Sequence, residues 1–166
     1  MYNILVYGPP GVGKQKFCSS LCDKWIKNGE EVVFISKEDY PMKVEELSET
    51  LKHASDRAKI IVHSLSNMIM QNSFDEILRF LRFLNNKFNL GVYTLQEGVH
   101  SPRIVKHVMC VTNEVIEMKY YDEGVIKKKL RILSFERNSV SEWVNFSMLS
   151  KSSLESLIFE EYKHRL

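Results

Sequence analysis

No apolar stretch in this 166-residue chain approaches the ~20 residues that a membrane-spanning helix needs, so no such span is expected. The opening run Met1-Tyr2-Asn3-Ile4-Leu5-Val6-Tyr7 has no basic segment ahead of an apolar one, so no signal peptide is expected either. Cysteine is scarce. Cys18, Cys22 and Cys110 form an odd set without CxxC spacing, which argues against a disulfide scaffold and a zinc site and fits a reducing, cytoplasmic compartment. His100, His107 and Cys110 share no ligand spacing, so no metal site is assigned to them. Neither sign of charge dominates. A net charge of +2 does not by itself imply a nucleic-acid partner. Internal repeats, low-complexity tracts and linkers are absent, and the length suits one domain with an ordinary core.

What is present is an alternation of short apolar runs with amphipathic stretches. Ile4–Tyr7 ends in a glycine-rich turn, and a helix is expected from Val12 to Asn28, with Phe17, Leu21 and Trp25 on one face and Gly29 as its stop. Cys18 and Cys22 are small core residues beside that face. Strands are expected at Glu31–Ser36, Ala58–His63 and Leu90–Leu95. Helices are expected at Met42–Ala54, after the capping-box pattern Ser73-Phe74-Asp75-Glu76, and from Ser101-Pro102 to His107. Leu65–Asn72 reads as a loop. The pattern then changes. Val115–Tyr121 and Val125–Phe135 read as a hairpin turning at Asp122-Glu123-Gly124, Ser141–Met148 as a third antiparallel member, and Ser153–Leu166 as a terminal helix. Together these give an α/β, three-layer fold: a mainly parallel sheet of four strands, extended by antiparallel hairpins.

The glycine-rich turn is the strongest chemical signal. Gly8-Pro9-Pro10-Gly11-Val12-Gly13-Lys14 satisfies GxxxxGK, and three of the chain's seven glycines fall within it. Glycines allow backbone N–H groups to close around phosphates, the following helix adds its positive end, and Lys14 adds a point charge for the β and γ phosphates. The next position normally carries a hydroxyl that holds Mg²⁺, but here it is Gln15. The expected nucleotide-binding set in this segment is therefore Gly8, Pro9, Pro10, Gly11, Val12, Gly13, Lys14 and Gln15.

With these motifs in order, residues Tyr2 to Met148 resemble RecA-superfamily P-loop ATPases of the KaiC type, and in particular the small archaeal RadA paralogues. The resemblance implies a nucleotide-binding domain over residues 1–149, followed by a C-terminal helix or tail over 150–166. It implies ATP or another nucleoside triphosphate as ligand. Val33-Phe34-Ile35-Ser36-Lys37-Glu38-Asp39-Tyr40-Pro41 resembles the family's second strand and its catalytic acidic pair, which implies Glu38 as the residue that activates the attacking water, with Asp39 the weaker choice. Tyr93-Thr94-Leu95-Gln96-Glu97 matches the fourth strand, which makes Gln96 a sensor of the γ-phosphate. His63 stands where the family's Walker B aspartate would be, and an imidazole cannot replace a carboxylate that orders Mg²⁺. Ser134 and Glu136 replace the trans-acting Lys and Arg, unless a one-residue slip lets Arg137 serve.

Gln15 and His63 degrade the same Mg²⁺ site, and losing one such electrostatic contact typically slows a reaction by ~10²–10³-fold. Two readings stay open: a nucleotide-binding protein and slow ATPase linked to DNA transactions, or a catalytically degenerate RecA-fold subunit of a larger assembly. RecA-like sites are completed by a neighbouring subunit, so both readings expect homo- or hetero-oligomers. Lys127, Lys129 and Arg131 alternate with Ile126, Lys128, Leu130 and Ile132 at strand period. The basic face reads either as a solvated sheet edge or as a DNA-tracking patch, with no aromatic interleaved on it. Tyr120, Tyr121 and Trp143 read as packing residues.

Overall fold

A computed structural model of the chain describes residues 2–36, 43–135 and 137–148. The parallel part of its sheet contains β1 (Tyr2–Gly8), β2 (Val32–Ile35), β3 (Lys59–Val62), β4 (Leu90–Gln96) and β5 (Glu114–Asp122). Three antiparallel strands follow: β6 (Ile126–Ser134), β7 (Ser139–Val140) and β8 (Val144–Asn145). The order across the sheet is β2-β3-β4-β1-β5-β6-β7, and β8 also pairs with β6. The helices are α1 (Lys14–Lys27), α2 (Val44–Leu51), α3 (Leu65–Gln71), α4 (Phe74–Lys87) and α5 (Pro102–Cys110).

Period-two alternation along β1 assigns its side chains to two cores. Leu5 joins Ile60, Val62, Tyr93 and Leu95 beneath α2, α3, α4 and α5. Ile4 and Val6 join Ile61, Val92, Ile116 and Met118 beneath Phe17, Cys18, Leu21 and Trp25 of α1. The result is the expected three-layer α/β architecture. The three cysteines are unpaired. Among the described residues no helix is long and apolar enough to cross a membrane.

Four expectations are corrected. The parallel set has five strands rather than four, because β5 pairs in parallel with β1 (Ile4 opposite Glu114) before it turns into the hairpin with β6. Leu65–Gln71 is a helix, capped by the Ser64 hydroxyl, which accepts from Asn67 N. Leu65, Met68 and Ile69 do fall at helical spacing, but seven residues span barely two turns, too short a window for the period to stand out from a loop. Ser141–Met148 is not a continuous strand. It contributes Val144–Asn145 and a 3-10 turn at Phe146–Met148; at Ser141 the backbone N donates to Ile132 O, while the Ser141 hydroxyl takes a carbonyl's place in accepting from Ile132 N. The helix expected at Met42–Ala54 is shorter, Val44–Leu51. The helix expected at Ser153–Leu166 lies outside the described residues.

The capping box at α4 is present in full. The Ser73 hydroxyl accepts from Glu76 N, and the Glu76 carboxylate accepts from Ser73 N at 2.7 Å. It fixes the start of a helix whose Ile77, Phe80, Leu81 and Leu84 are all buried. Ser73→Ala should lower stability by about 1 kcal/mol in urea unfolding, whereas Ser73→Asp, which keeps an acceptor at the cap, should cost well under half of that.

Candidate functional site

The chain reverses its direction of travel at β1. It leaves β1 through α1 toward β2, β3 and β4, and returns from β4 through α5 to β5 on the other side. In an open α/β sheet, ligands bind at the carboxyl ends of the strands at such a switch point. Gly8 closes β1 there, opposite Gln96 at the end of β4. A Cβ on Gly8 would lie 2.4 Å from the Met118 carbonyl oxygen, so β1 and β5 approach too closely at this position for any side chain.

Beyond Gly8 the loop divides into two halves. The Gly8 and Pro9 carbonyls both accept from Lys14 Nζ, each at 2.7 Å. The nitrogens of those two peptide units belong to Pro9 and Pro10 and carry no hydrogen. The next two carbonyls face the β5–β6 hairpin: Pro10 O accepts from the Tyr120 hydroxyl at 3.0 Å, and Gly11 O from Lys128 Nζ at 2.9 Å. Val12 is fully buried and anchors the loop in the α1 core. Gly13 is the N-cap of α1 at φ 121°, a backbone state that side chains resist, and no side-chain bond caps the helix. The first intrahelical bond is Phe17 N to Gly13 O, which leaves the N–H groups of the first turn without helical partners. The first turn carries no acidic side chain, and it ends at a cleft.

That cleft has a volume of about 430 Å³ and is lined by Pro10, Gly11, Gly13, Lys14, Gln15, Lys16, His63, Ser64, Asn67 and Gln96. Its size is in the range of small-ligand sites. Lys14 is buried, and burial pushes its ammonium down to about 8, partly countered by the Glu97 carboxylate. Gln96 N donates to the Ser66 hydroxyl at 2.7 Å, so α3 pins the end of β4 beside the loop. His63 lies just past β3, with Nδ1 2.9 Å from the Thr94 hydroxyl. Bare helical N–H groups, glycine backbone and a buried lysine together make a receptor for an anion.

The structure therefore gathers Pro10, Gly11, Gly13, Lys14, Gln15 and Gln96 around one cleft, while Gly8, Pro9 and Val12 build the loop's foot. Glu38 and Asp39 lie outside the described residues, as does Glu136. Arg137 lies at the opposite, amino end of the parallel strands, where it donates to the fully buried Glu114 at 2.9 Å. Sequence reasoning missed Lys16, Ser64, Asn67, Tyr120 and Lys128. For Lys128 a signal existed: it is the one lysine that β-alternation places on the apolar face of its strand.

The described lining does not fit a resident Mg²⁺. Among the described residues that line the cleft there is no carboxylate, Glu97 being near enough to act on Lys14 but not part of the lining, and the imidazole at the strand end is engaged with Thr94. No group of three or more His, Cys, Asp or Glu suited to a metal occurs among the described residues.

The basic face of the hairpin also needs correction. Lys127 and Lys129 both donate to Glu123, and together they hold that carboxyl down to about 2. Arg131 donates to Glu117 at 2.7 Å. Aromatic rings do stand on this face, contrary to expectation. Tyr121 and Trp143 pack edge to face at 5.2 Å, with Lys129 over the first ring and Arg131 over the second. They come from the neighbouring strand β5 and the segment before β8, so the alternation of β6 alone could not reveal them.

Three comparisons bear on this arrangement. The flagellar accessory protein FlaH of Methanocaldococcus jannaschii superposes with a TM-score of 0.67 at 14% identity, covering 87% of this chain and 84% of that one. A KaiC-like protein of Pyrococcus horikoshii OT3 gives 0.68 at 12% identity, over the same shares. The chain has the RecA/RadA/KaiC-superfamily P-loop ATPase fold. In sequence, 83 residues are 35% identical to the DNA repair and recombination protein RadB of Methanococcus maripaludis (strain C5), a match spanning 49% of this chain. It spans 37% of that protein, little more than a third of its length. No protein-family model matches. The resemblance to RadA paralogues and KaiC thus holds for the fold, and the RecA-type strand order explains why the GxxxxGK loop meets the ends of β3 and β4.

The depressed Lys14 ammonium gives a pH test. Sulfate keeps its charge across the alkaline range, so its binding reports the protein's own titration. Affinity should be flat below pH 8 and fall by up to about tenfold per pH unit above it, as the one proton leaves Lys14. NMR titrations with sulfate would measure this, and an affinity unchanged to pH 10 would remove Lys14 from the anion site.

Proposed function

We propose that this chain binds a nucleoside triphosphate such as ATP through its phosphates, and turns it over slowly or not at all. The supporting observation is the uncapped, acid-free start of α1 beside Lys14, opening on a cleft sized for a small ligand. In this reading Gly11, Val12, Gly13, Lys14 and Gln15 offer backbone donors, Lys14 adds charge, and Gln96 reads the terminal phosphate. Glu38 would activate water. Residues 1–149 act as the nucleotide-binding domain.

The cleft's lack of described carboxylates favours weak hydrolysis over a competent ATPase, since Mg²⁺ and its carboxylate neighbours supply most of the charge stabilisation in phosphoryl transfer. It equally supports the second reading, a RecA-fold subunit that holds nucleotide as a structural or regulatory element of a homo- or hetero-oligomer in the cytoplasm. The similarity to a protein named for DNA repair and recombination supports a DNA-linked role. Direct contact through Lys127, Lys129 and Arg131 has less support, because each already opposes a carboxylate.

Calorimetric titration of ATP with and without Mg²⁺, paired with single-turnover hydrolysis, tests the reading. ATP should bind, with an affinity changing by less than about tenfold when Mg²⁺ is removed, and Lys14→Ala should abolish binding. Rapid Mg²⁺-dependent turnover would refute the weak-hydrolysis half. No ATP binding would refute the whole.

A further inference from the structure

Tyr120 and Lys128 face each other across the β5–β6 ladder, on the side of the hairpin turned toward α1. Each spends its polar atom on the phosphate loop: the hydroxyl on Pro10 O at 3.0 Å and the ammonium on Gly11 O at 2.9 Å. The pair is also self-supporting, with Lys128 Nζ 5.8 Å from the centre of the Tyr120 ring. In a trans peptide the C=O and the following N–H point in opposite directions. Holding Pro10 O and Gly11 O toward the hairpin therefore turns the N–H groups of Gly11 and Val12 away from it. The hairpin lies on the β5 side of β1, and the cleft lies on the β3–β4 side. Away from the hairpin is thus toward the cleft.

We infer that Tyr120 and Lys128 are positioning residues for phosphate binding, which aim the Gly11 and Val12 N–H groups into the cleft without touching the ligand. This rests on the nucleotide-binding reading above. It also gives the two-proline loop a division of labour. Lys14 holds the half that has no N–H to offer, and the hairpin pair orients the half that does. Neither residue lines the cleft, so neither replaces Lys14 as a charge for the phosphates.

The test compares Tyr120→Phe, Lys128→Met and Lys128→Arg in the full chain, with Lys129→Met on the opposite face as control. Both ATP and inorganic pyrophosphate are titrated calorimetrically, and the ligand-free melting temperature is recorded for each variant. Tyr120→Phe and Lys128→Met should each weaken both ligands by about three- to tenfold, the worth of one lost hydrogen bond. Lys128→Arg, which keeps a donor, should recover most of the loss, and Lys129→Met should change nothing. Unaltered affinity in both loss variants would overturn the inference while leaving nucleotide binding intact. So would a loss confined to ATP, which would mean direct contact with the nucleoside, or a failure of Lys128→Arg to rescue. If the unmutated chain binds neither ligand, the nucleotide reading itself falls.

Discussion

Strand β1 pairs along its whole length with β4 and through Ile4–Tyr7 with β5, and its side chains feed both cores in turn. Its backbone has no freedom left at Gly8, where the Met118 carbonyl occupies the space of a side chain. The chain must therefore leave the sheet abruptly, and everything chemical in the molecule follows from how it does so. Two prolines carry it out, Val12 buries itself to turn it back, and Gly13 opens α1 with no side chain to cap it. A helix start that is uncapped and free of acid in its first turn is an unfinished electrostatic arrangement that an anion completes.

The surrounding elements bring polar groups to that point but little negative charge. Val62 ends β3 next to His63, and Gln96 ends β4 against Ser66, so the cleft is walled by imidazole, amide and hydroxyl groups. Such a wall suits an anion's oxygens better than it suits a divalent cation. On the reading proposed above, the molecule separates two tasks: its loop and helix start suit an anion, whereas the described lining beside them offers no carboxylate to a metal.

Much of this was legible in the sequence because the relevant signals are local. GxxxxGK after an apolar run and before Phe17, Leu21 and Trp25 places the loop, its strand and its helix without any tertiary information. Gln15 is visible as a departure from the motif itself, and His63 as one implied by the family resemblance. Other features depend on elements far apart in the chain. Tyr120 reaches Pro10 across 110 residues, and Lys128 reaches Gly11 across 117. The aromatic rings of the basic face come from β5 and from Trp143, so reading β6 alone could not place them. The parallel pairing of β5 was hidden for a related reason: one strand serves as the parallel neighbour of β1 and as the first arm of a hairpin, and its sequence displays only the hairpin.

The central claim is that backbone N–H groups of the loop hold the phosphates. Amide NMR observes those groups directly. Adding ATP to the isotope-labelled chain should shift the Gly11, Val12 and Gly13 resonances together, along a single saturable curve, with the largest changes in the molecule. Shifts confined to other regions, or none at millimolar ATP, would contradict the account.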